Sequence, residues 1–347
     1  MSYKVVLPLK LSGEALKYPR WFEELGIDFE ARWCATEEEA VALGRDADAV
    51  IVEGSQRPMT RAIIENLDRC RILAGTQIGY DTFDLEAASE RGILVTNVPG
   101  YCVEEVSDHA MALVLACARR VVQLHGAVGK GGWGFGPSSA EIQTVIRPHI
   151  DGLRGKTLGL FGFGAIGRSM VPKAKGFSMR IIASDPYADP VVVAEEGVEL
   201  VDMATLLAES DFISIHAALT DETRGLFDRN ALSQMKPSAC LINTARGGFV
   251  NESDLYDALS RGQISMAALD VLGTEPPAEA HRLMALDNFV CTGHLAFFSP
   301  GALATQWRRP VDEVLRVLNG EWPVALRNPE AKEKHVERFG PMRDPVD

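Results

Sequence analysis

Apolar and polar positions follow two rhythms along this chain. Short, nearly continuous apolar runs lie at 4–9, 49–52, 71–74 and 93–95. Between them, at 14–25, 37–43, 60–67 and 85–91, apolar residues recur at helical spacing. The first rhythm predicts buried strands and the second amphipathic helices. Their alternation predicts a parallel sheet covered on both faces. From Lys156 the pattern restarts: apolar runs at 157–161, 180–184, 212–216, 239–243, 264–269 and 289–292 predict six more parallel strands.

Two segments break this alternation. Residues 104–124 are apolar nearly all round, through Ala110-Met111-Ala112-Leu113-Val114-Leu115-Ala116, which predicts one long helix buried in the molecule or in a subunit interface. Residues 126–136 are so rich in glycine that they predict an irregular loop, with Trp133 as a packing residue. A last helix, at 304–318, has no following strand and is expected to return to the first domain. The length of 347 residues calls for two cores. We expect one domain from 105–295 and the other from 1–104 plus 296–347. The chain then crosses twice, and both crossings can act as a hinge that closes a cleft and excludes water.

The formal charge of −13, without a Lys/Arg cluster, argues against a nucleic-acid ligand. The six cysteines form no Cys-x-x-Cys and sit mostly in apolar runs, so buried thiols are expected rather than disulfides or a metal site. The start, Met1-Ser2-Tyr3-Lys4, lacks a signal-peptide pattern, and no membrane span is expected. Together these features lead us to expect a cytoplasmic location.

Gly162-Phe163-Gly164-Ala165-Ile166-Gly167 is a G-x-G-x-x-G placed between the run 157–161 and a helical stretch 165–177. That context gives the motif meaning. The first glycine permits a tight turn, the second lets the backbone approach a pyrophosphate, and the third lets helix and strand pack closely. The helix N-terminus then presents N–H groups to the anion. Six parallel strands behind such a turn define the doubly wound dinucleotide-binding plan. Asp185 ends the next strand, 18 residues beyond Gly167. A carboxylate there accepts bonds from ribose hydroxyls and repels an added phosphate, which favours NAD over NADP.

Three downstream runs end in charged residues: Arg246 after 239–243, Asp270 and Glu275 after 264–269, and His294 after 289–292. In an open α/β sheet the carboxyl ends of strands line the ligand crevice, so these residues converge. Moving hydride from a 2-hydroxy acid requires a base for the hydroxyl proton and a cation for the carboxylate. Imidazole suits the first task near neutrality, and a guanidinium fork suits the second. A carboxylate beside the imidazole stabilises its cation and fixes its tautomer.

These residues resemble the D-isomer-specific 2-hydroxyacid dehydrogenase family. Supporting segments are Ile78-Gly79-Tyr80-Asp81, 92–106, 216–226, Met235-Lys236-Pro237 and 320–329. The run Tyr101-Cys102-Val103-Glu104-Glu105-Val106 and the pair Phe297-Phe298 look most like the C-terminal-binding-protein-like branch. The resemblance implies a Rossmann NAD domain and a flavodoxin-like substrate domain. It makes Arg246, Glu275 and His294 catalytic, with Glu275 the partner of the acid/base His294. It puts NAD against Gly162, Gly164, Ala165, Ile166, Gly167, Asp185, Ala218, Thr223, Thr244, Ala245, Arg246, Asp270 and His294. It puts the substrate against Ile78, Gly79, Arg246 and Phe297. Ser55 and Gln56, after the run 49–52, form a candidate substrate loop. His216 reads equally as a wall of the nicotinamide ribose site or as a structural histidine, and His109 reads as structural.

Three positions depart from the family pattern. Gln77 stands where glycine is usual, Gly75 where the branch carries arginine, and Gly293 where proline usually precedes the histidine. The expected activity is NAD-dependent hydride exchange with a small 2-hydroxy or 2-keto acid, in a homodimer joined through the apolar helix and glycine loop. An alternative of another class is an NAD(H)-sensing, corepressor-like interaction protein with little turnover. Formate oxidation ranks lower, because relatives with that activity carry glutamine at the position of Glu275.

Overall fold

The computed structural model describes residues 3–54, 57–278 and 280–345, which form two compact units. The first comprises 1–101 and 299–347, the second 102–298. These bounds lie about three residues from the expected ones, because the helix that opens the second unit starts at Val103.

The first unit is built on strands β1 (Lys4–Leu7), β2 (Asp28–Ala31), β3 (Ala49–Val52), β4 (Ile72–Gly75) and β5 (Leu94–Thr96). They are all parallel, in the order β2-β1-β3-β4-β5, which is the flavodoxin order. Every residue of β3 and β4 is buried. Side chains from alternate positions feed two cores, one on each face: Val50, Val52 and Leu73 on one side, Ala49, Ile51 and Ile72 on the other. The helix Pro300–Leu318 returns to the second of these faces through Val311, Val314 and Val317, and the Tyr18 hydroxyl donates to Trp307 O at 2.7 Å.

β2 was not predicted. Asp28-Phe29-Glu30-Ala31 is an edge strand with half-exposed positions and two acids, so it carries no apolar run. The stretch 14–25 is a 3₁₀ turn, Gly13–Lys17, followed by a short helix, Tyr18–Glu23, with Pro19 in its first turn.

The second unit contains β6 (Thr157–Phe161), β7 (Arg180–Ser184), β8 (Glu199–Leu200), β9 (Phe212–Ile215), β10 (Cys240–Asn243), β11 (Met266–Leu269) and β12 (Phe289–Cys291). The parallel order is β12-β11-β10-β9-β6-β7-β8. It has seven strands rather than six. The unpredicted β8 has only two residues and pairs at the edge with β7.

The long helix expected at 104–124 is two helices, Val103–Arg119 and Val121–Gly129, bent by 60° where they meet. Arg120 makes the break at φ +53. Its side chain turns inward and is 6% exposed, bonding His149 O, Met266 Sδ and Ser265 Oγ. No glycine or proline marks this turn, so the apolar pattern runs straight through it. The second helix also takes in Gly126 and Gly129, so the first part of the glycine segment is helical and not loop. Its outer face leaves Val121, Val122 and Val128 exposed, as are Trp133, Phe135 and Val145 beyond it.

Among the described residues no single helix is long and apolar enough to cross a membrane. The bent pair reaches that length, but Val103–Arg119 lies in the core of the second unit. All six cysteines are free thiols, five of them buried, with Cys291 partly exposed.

In the first unit, His335 is 0% exposed and its Nδ1 lies 2.8 Å from Gly92 O, which it reaches as a donor. Burial lowers its pKa despite that bond, and Arg71 and Arg338 add to the lowering. The unfolded chain therefore takes up this proton first as the pH falls. The stabilisation is full above the ordinary histidine range and is lost as the pH drops through it toward the depressed value. In thermal melts from pH 7 to pH 5, the advantage of the wild type over His335→Phe should shrink. A constant difference would refute this linkage.

Candidate active site

The glycine turn after β6 is built by close approach. Gly162 sits at φ +95, and a Cβ there would lie 2.5 Å from Ala217 N. A Cβ on Gly167 would lie 2.4 Å from Gly162 O, so strand and helix meet without room for a side chain. At Gly164, by contrast, a Cβ would have nothing within 4 Å. The backbone there is open to a ligand, at the start of the helix Ala165–Gly176. Asp185 braces the turn, its Oδ2 accepting from Phe163 N at 2.8 Å and its Oδ1 from Tyr187 N at 2.9 Å. Each oxygen retains a second lone pair for a hydroxyl donor.

Two buried polar atoms near this crevice have no partner among the described residues: His216 Nε2, just after β9, and Thr244 Oγ1, just after β10. Burial lowers the His216 pKa to about 4, so its imidazole is neutral. An orphaned buried donor or acceptor is costly unless a ligand or water completes it. Thr223 holds the neighbouring loop, donating to Ala218 O at 3.2 Å, and Ala245 N donates to Asn243 Oδ1 at 2.9 Å. The glycine cradle, the braced carboxylate and the orphaned atoms suit a dinucleotide.

Parallel register aligns the next three loops. Asn243 pairs with Leu269 and Leu269 with Cys291, so Thr244, Asp270 and Thr292 begin their loops at one level. The first two loops interlock. A Cβ on Gly247 would lie 1.9 Å from the carbonyl carbon of Leu272, so only glycine lets the Arg246 loop pack against the Glu275 loop. Asn243 Nδ2 donates to Arg246 O at 2.7 Å, and Arg246 Nη1 donates to Ala245 O at 2.9 Å. Glu275 Oε1 accepts from Leu272 N at 2.7 Å, and Gly273 N donates to Glu252 Oε1 at 2.7 Å.

These loops bring His294 Nδ1 to 2.6 Å from Glu275 Oε2. The two side chains are 38% and 33% exposed, so the pair sits at a surface, not in the core. The bond to Glu275 raises the His294 pKa against the lowering effect of burial; the Glu275 charge and Asp270 add to the rise, and Arg246 opposes it. Burial pushes Glu275 up, but the bonds from His294 and Leu272 N, with the charges of His294 and Arg246, hold it below its ordinary value. The pair is thus biased toward carboxylate and imidazolium. Arg246 lies close enough to act on both partners.

His294 itself stands at φ +61 and Gly293 at φ +69. A non-glycine residue in that region costs about 1–3 kcal/mol and must be held by its surroundings. Proline, fixed near φ −65°, could not occupy the Gly293 position. The Phe297 ring meets the His294 ring edge-on at 6.3 Å.

Arg246, Asp270, Glu275, His294 and Phe297 therefore share one end of the second sheet. Ile78 and Gly79 follow β4 in the first unit, where Asn97 Nδ2 donates to Ile78 O at 2.6 Å. The unusual Gln77 accepts from Gly54 N at 3.1 Å and so ties two loops of that unit. Ser55 and Gln56 lie outside the described residues. Sequence reasoning did not find Glu252 and Thr292, which hold these loops from behind. A polar residue directly after an apolar run, as at Thr244, Asp270 and Thr292, is the signal that could have found Thr292. No group of three or more His, Cys, Asp or Glu among the described residues could hold a metal ion.

Parallel sheet, glycine turn and paired loop residues define a dinucleotide-binding α/β protein. Residues 111–296 match the NAD binding domain of the D-isomer specific 2-hydroxyacid dehydrogenases. The chain is 38% identical over 285 residues to a glyoxylate reductase of Thermococcus litoralis, covering 82% of this chain and 84% of that one. It is 35% identical over 321 residues to a D-3-phosphoglycerate dehydrogenase of Methanocaldococcus jannaschii, covering 92% of this chain but only 58% of that relative, little more than half its length. The crystal structure of the TT0316 protein from Thermus thermophilus superposes with a TM-score of 0.82 at 32% identity, covering 93% of this chain and 99% of that one. The chain belongs to the D-isomer-specific 2-hydroxyacid dehydrogenase family. These comparisons do not single out the C-terminal-binding-protein-like branch.

The charge arrangement makes a direct prediction. Glu275→Gln removes the carboxylate that favours the imidazolium, so the His294 pKa should fall back toward or below the ordinary histidine range. NMR titration of the His294 ring protons reads this; an unchanged midpoint would refute the pairing.

Proposed function

We propose that the protein is an NAD-dependent D-2-hydroxyacid dehydrogenase. It exchanges a hydride between the nicotinamide and C2 of a small 2-hydroxy or 2-keto acid. The observation that carries this reading is the 2.6 Å bond from His294 Nδ1 to Glu275, with Arg246 beside both. With Nδ1 committed to Glu275, Nε2 is the nitrogen that exchanges a proton with the substrate oxygen. Nε2 accepts the hydroxyl proton in oxidation and returns it to the forming alkoxide in reduction. Arg246 holds the carboxylate and the developing oxyanion with its guanidinium. Glu275 stabilises the imidazolium and sets its tautomer. Phe297 lies beside the reacting carbon, and Ile78 and Gly79 offer backbone N–H groups to the carboxylate. Ser55 and Gln56 complete the substrate contacts.

Bound NAD(H) supplies the hydride acceptor or donor. Gly162, Gly164, Ala165, Ile166 and Gly167 hold its pyrophosphate and Asp185 its adenosine ribose. Ala218, Thr223, Thr244 and Ala245 line the path, and the orphaned atoms of His216 and Thr244 find partners on it. Asp270, with three of its acceptor positions used internally, keeps one for the carboxamide end.

NADH and NADPH consumption against 2-keto acids of graded size and charge tests this reading. We expect turnover with NADH on part of the panel and its loss in His294→Ala, with NADH binding within about twofold of wild type. No turnover on any acid, or near wild-type turnover in His294→Ala, would overturn it.

We also propose a cytoplasmic homodimer. The free thiols support a reducing compartment. The exposed Val121, Val122, Val128, Trp133, Phe135 and Val145 support an interface on that face of the second unit. Light scattering at low micromolar concentration should give twice the chain mass; a monomeric mass would reject the interface.

A further inference from the structure

A line of hydrogen bonds, half-buried at His109 and Thr292 and buried at Asp270, reaches the His294 loop. His109, on the helix Val103–Arg119, has its Nε2 2.9 Å from Thr292 Oγ1. The Thr292 hydroxyl donates to Asp270 Oδ1 at 2.5 Å. A hydroxyl has one proton to give, and Asp270 takes it. His109 Nε2 must therefore carry hydrogen and donate to Thr292, so the line runs in one direction, from His109 to Asp270. Such directed chains polarise and strengthen each member.

Asp270 is 1% exposed. Its carboxylate also accepts from Leu295 N at 3.0 Å and Ala296 N at 2.9 Å, while its carbonyl accepts from His294 N at 2.5 Å. All three of those bonds fall on 294–296, at the point where Gly293 and His294 both take left-handed backbone. Two such residues in succession need an external hold.

We propose that His109 and Thr292 are positioning residues: they orient the Asp270 carboxylate, which pins the left-handed turn and so sets the reach of the His294 ring to Glu275. This replaces the structural reading of His109. It rests on the proton-exchange role given to His294 above. The charged groups facing His294 in this unit are Glu275, Arg246 and Asp270. Substitutions at Thr292 and His109 remove none of the three, so a change in His294 titration in such variants reports their placement about the ring.

The test compares Thr292→Val with Thr292→Ser, and His109→Leu with His109→Gln, in the full chain. Thermal melts identify the variants that fold. Thr292→Val should bring the NMR titration of His294 down toward the ordinary histidine value. It should lower kcat about tenfold or more through misplacement of the ring. Thr292→Ser should recover both properties. His109→Leu should move them in the same direction, and His109→Gln, which keeps a donor, should move them less. A folded Thr292→Val with wild-type titration and kcat would overturn the proposal. If that variant does not fold, the His109 pair decides by the same two readouts. The titration needs no turnover, so an inactive wild type would strike the hydride-transfer reading while the relay was still decided.

Discussion

The site depends on the register of three parallel strands. Asn243, Leu269 and Cys291 stand side by side at the ends of β10, β11 and β12. Adjacent strands lie roughly 4.8 Å apart, so loops that leave at one level can interlock within a few residues. The same geometry separates packing from chemistry. A parallel sheet covered on both faces requires apolar strands, and polar groups are displaced to the ends. Asp270 is the first residue beyond such a strand, and it is still enclosed. It can bond the following loop without competition from water.

Charge is managed locally. The chain carries a formal −13, which would disfavour an anionic substrate, yet His294 lies among two carboxylates and a guanidinium. Glu275 serves two partners: one oxygen takes the Leu272 amide and the other the His294 ring. The first bond restricts the carboxylate so that the second is already directed. Because its pKa is held down while that of His294 is raised, Glu275 stays ionised across the range in which the imidazole titrates. Arg246 tempers the rise, which keeps the imidazolium able to release its proton.

The central strands were legible because burial on both faces writes an unbroken apolar run. Ala49–Val52, Thr157–Phe161 and Arg180–Ser184 have the observed bounds of the expected runs. Of the edge strands, Leu94–Thr96 and Phe289–Cys291 kept an apolar run, but Asp28–Ala31 and Glu199–Leu200 were not legible, since they need only one paired side and carry acids. The break at Arg120 escaped for a different reason. A left-handed residue usually advertises itself as glycine or asparagine, but here buried side-chain bonds hold an arginine in that conformation. The charged residues of the site were legible because each follows an apolar run within a few positions. Their supports were not: Glu252 and His109 sit on helices, and nothing in the local pattern says which loop they will meet.

The glycine before His294 connects these points. A proline there would fix the backbone covalently near φ −65° and remove a donor. Glycine does the opposite. It admits φ +69 and has the most conformational freedom to lose on folding. Order at His294 must then come from noncovalent bonds, and the bonds available are those of Asp270 to Leu295 N, Ala296 N and His294 N. A carboxylate can supply that hold only if it is kept in one orientation, and the half-buried Thr292 hydroxyl is the side-chain donor that does so. In this chain the constraint on the His294 ring therefore comes from a hydrogen-bonded support that begins 185 positions earlier, on a helix of the same unit.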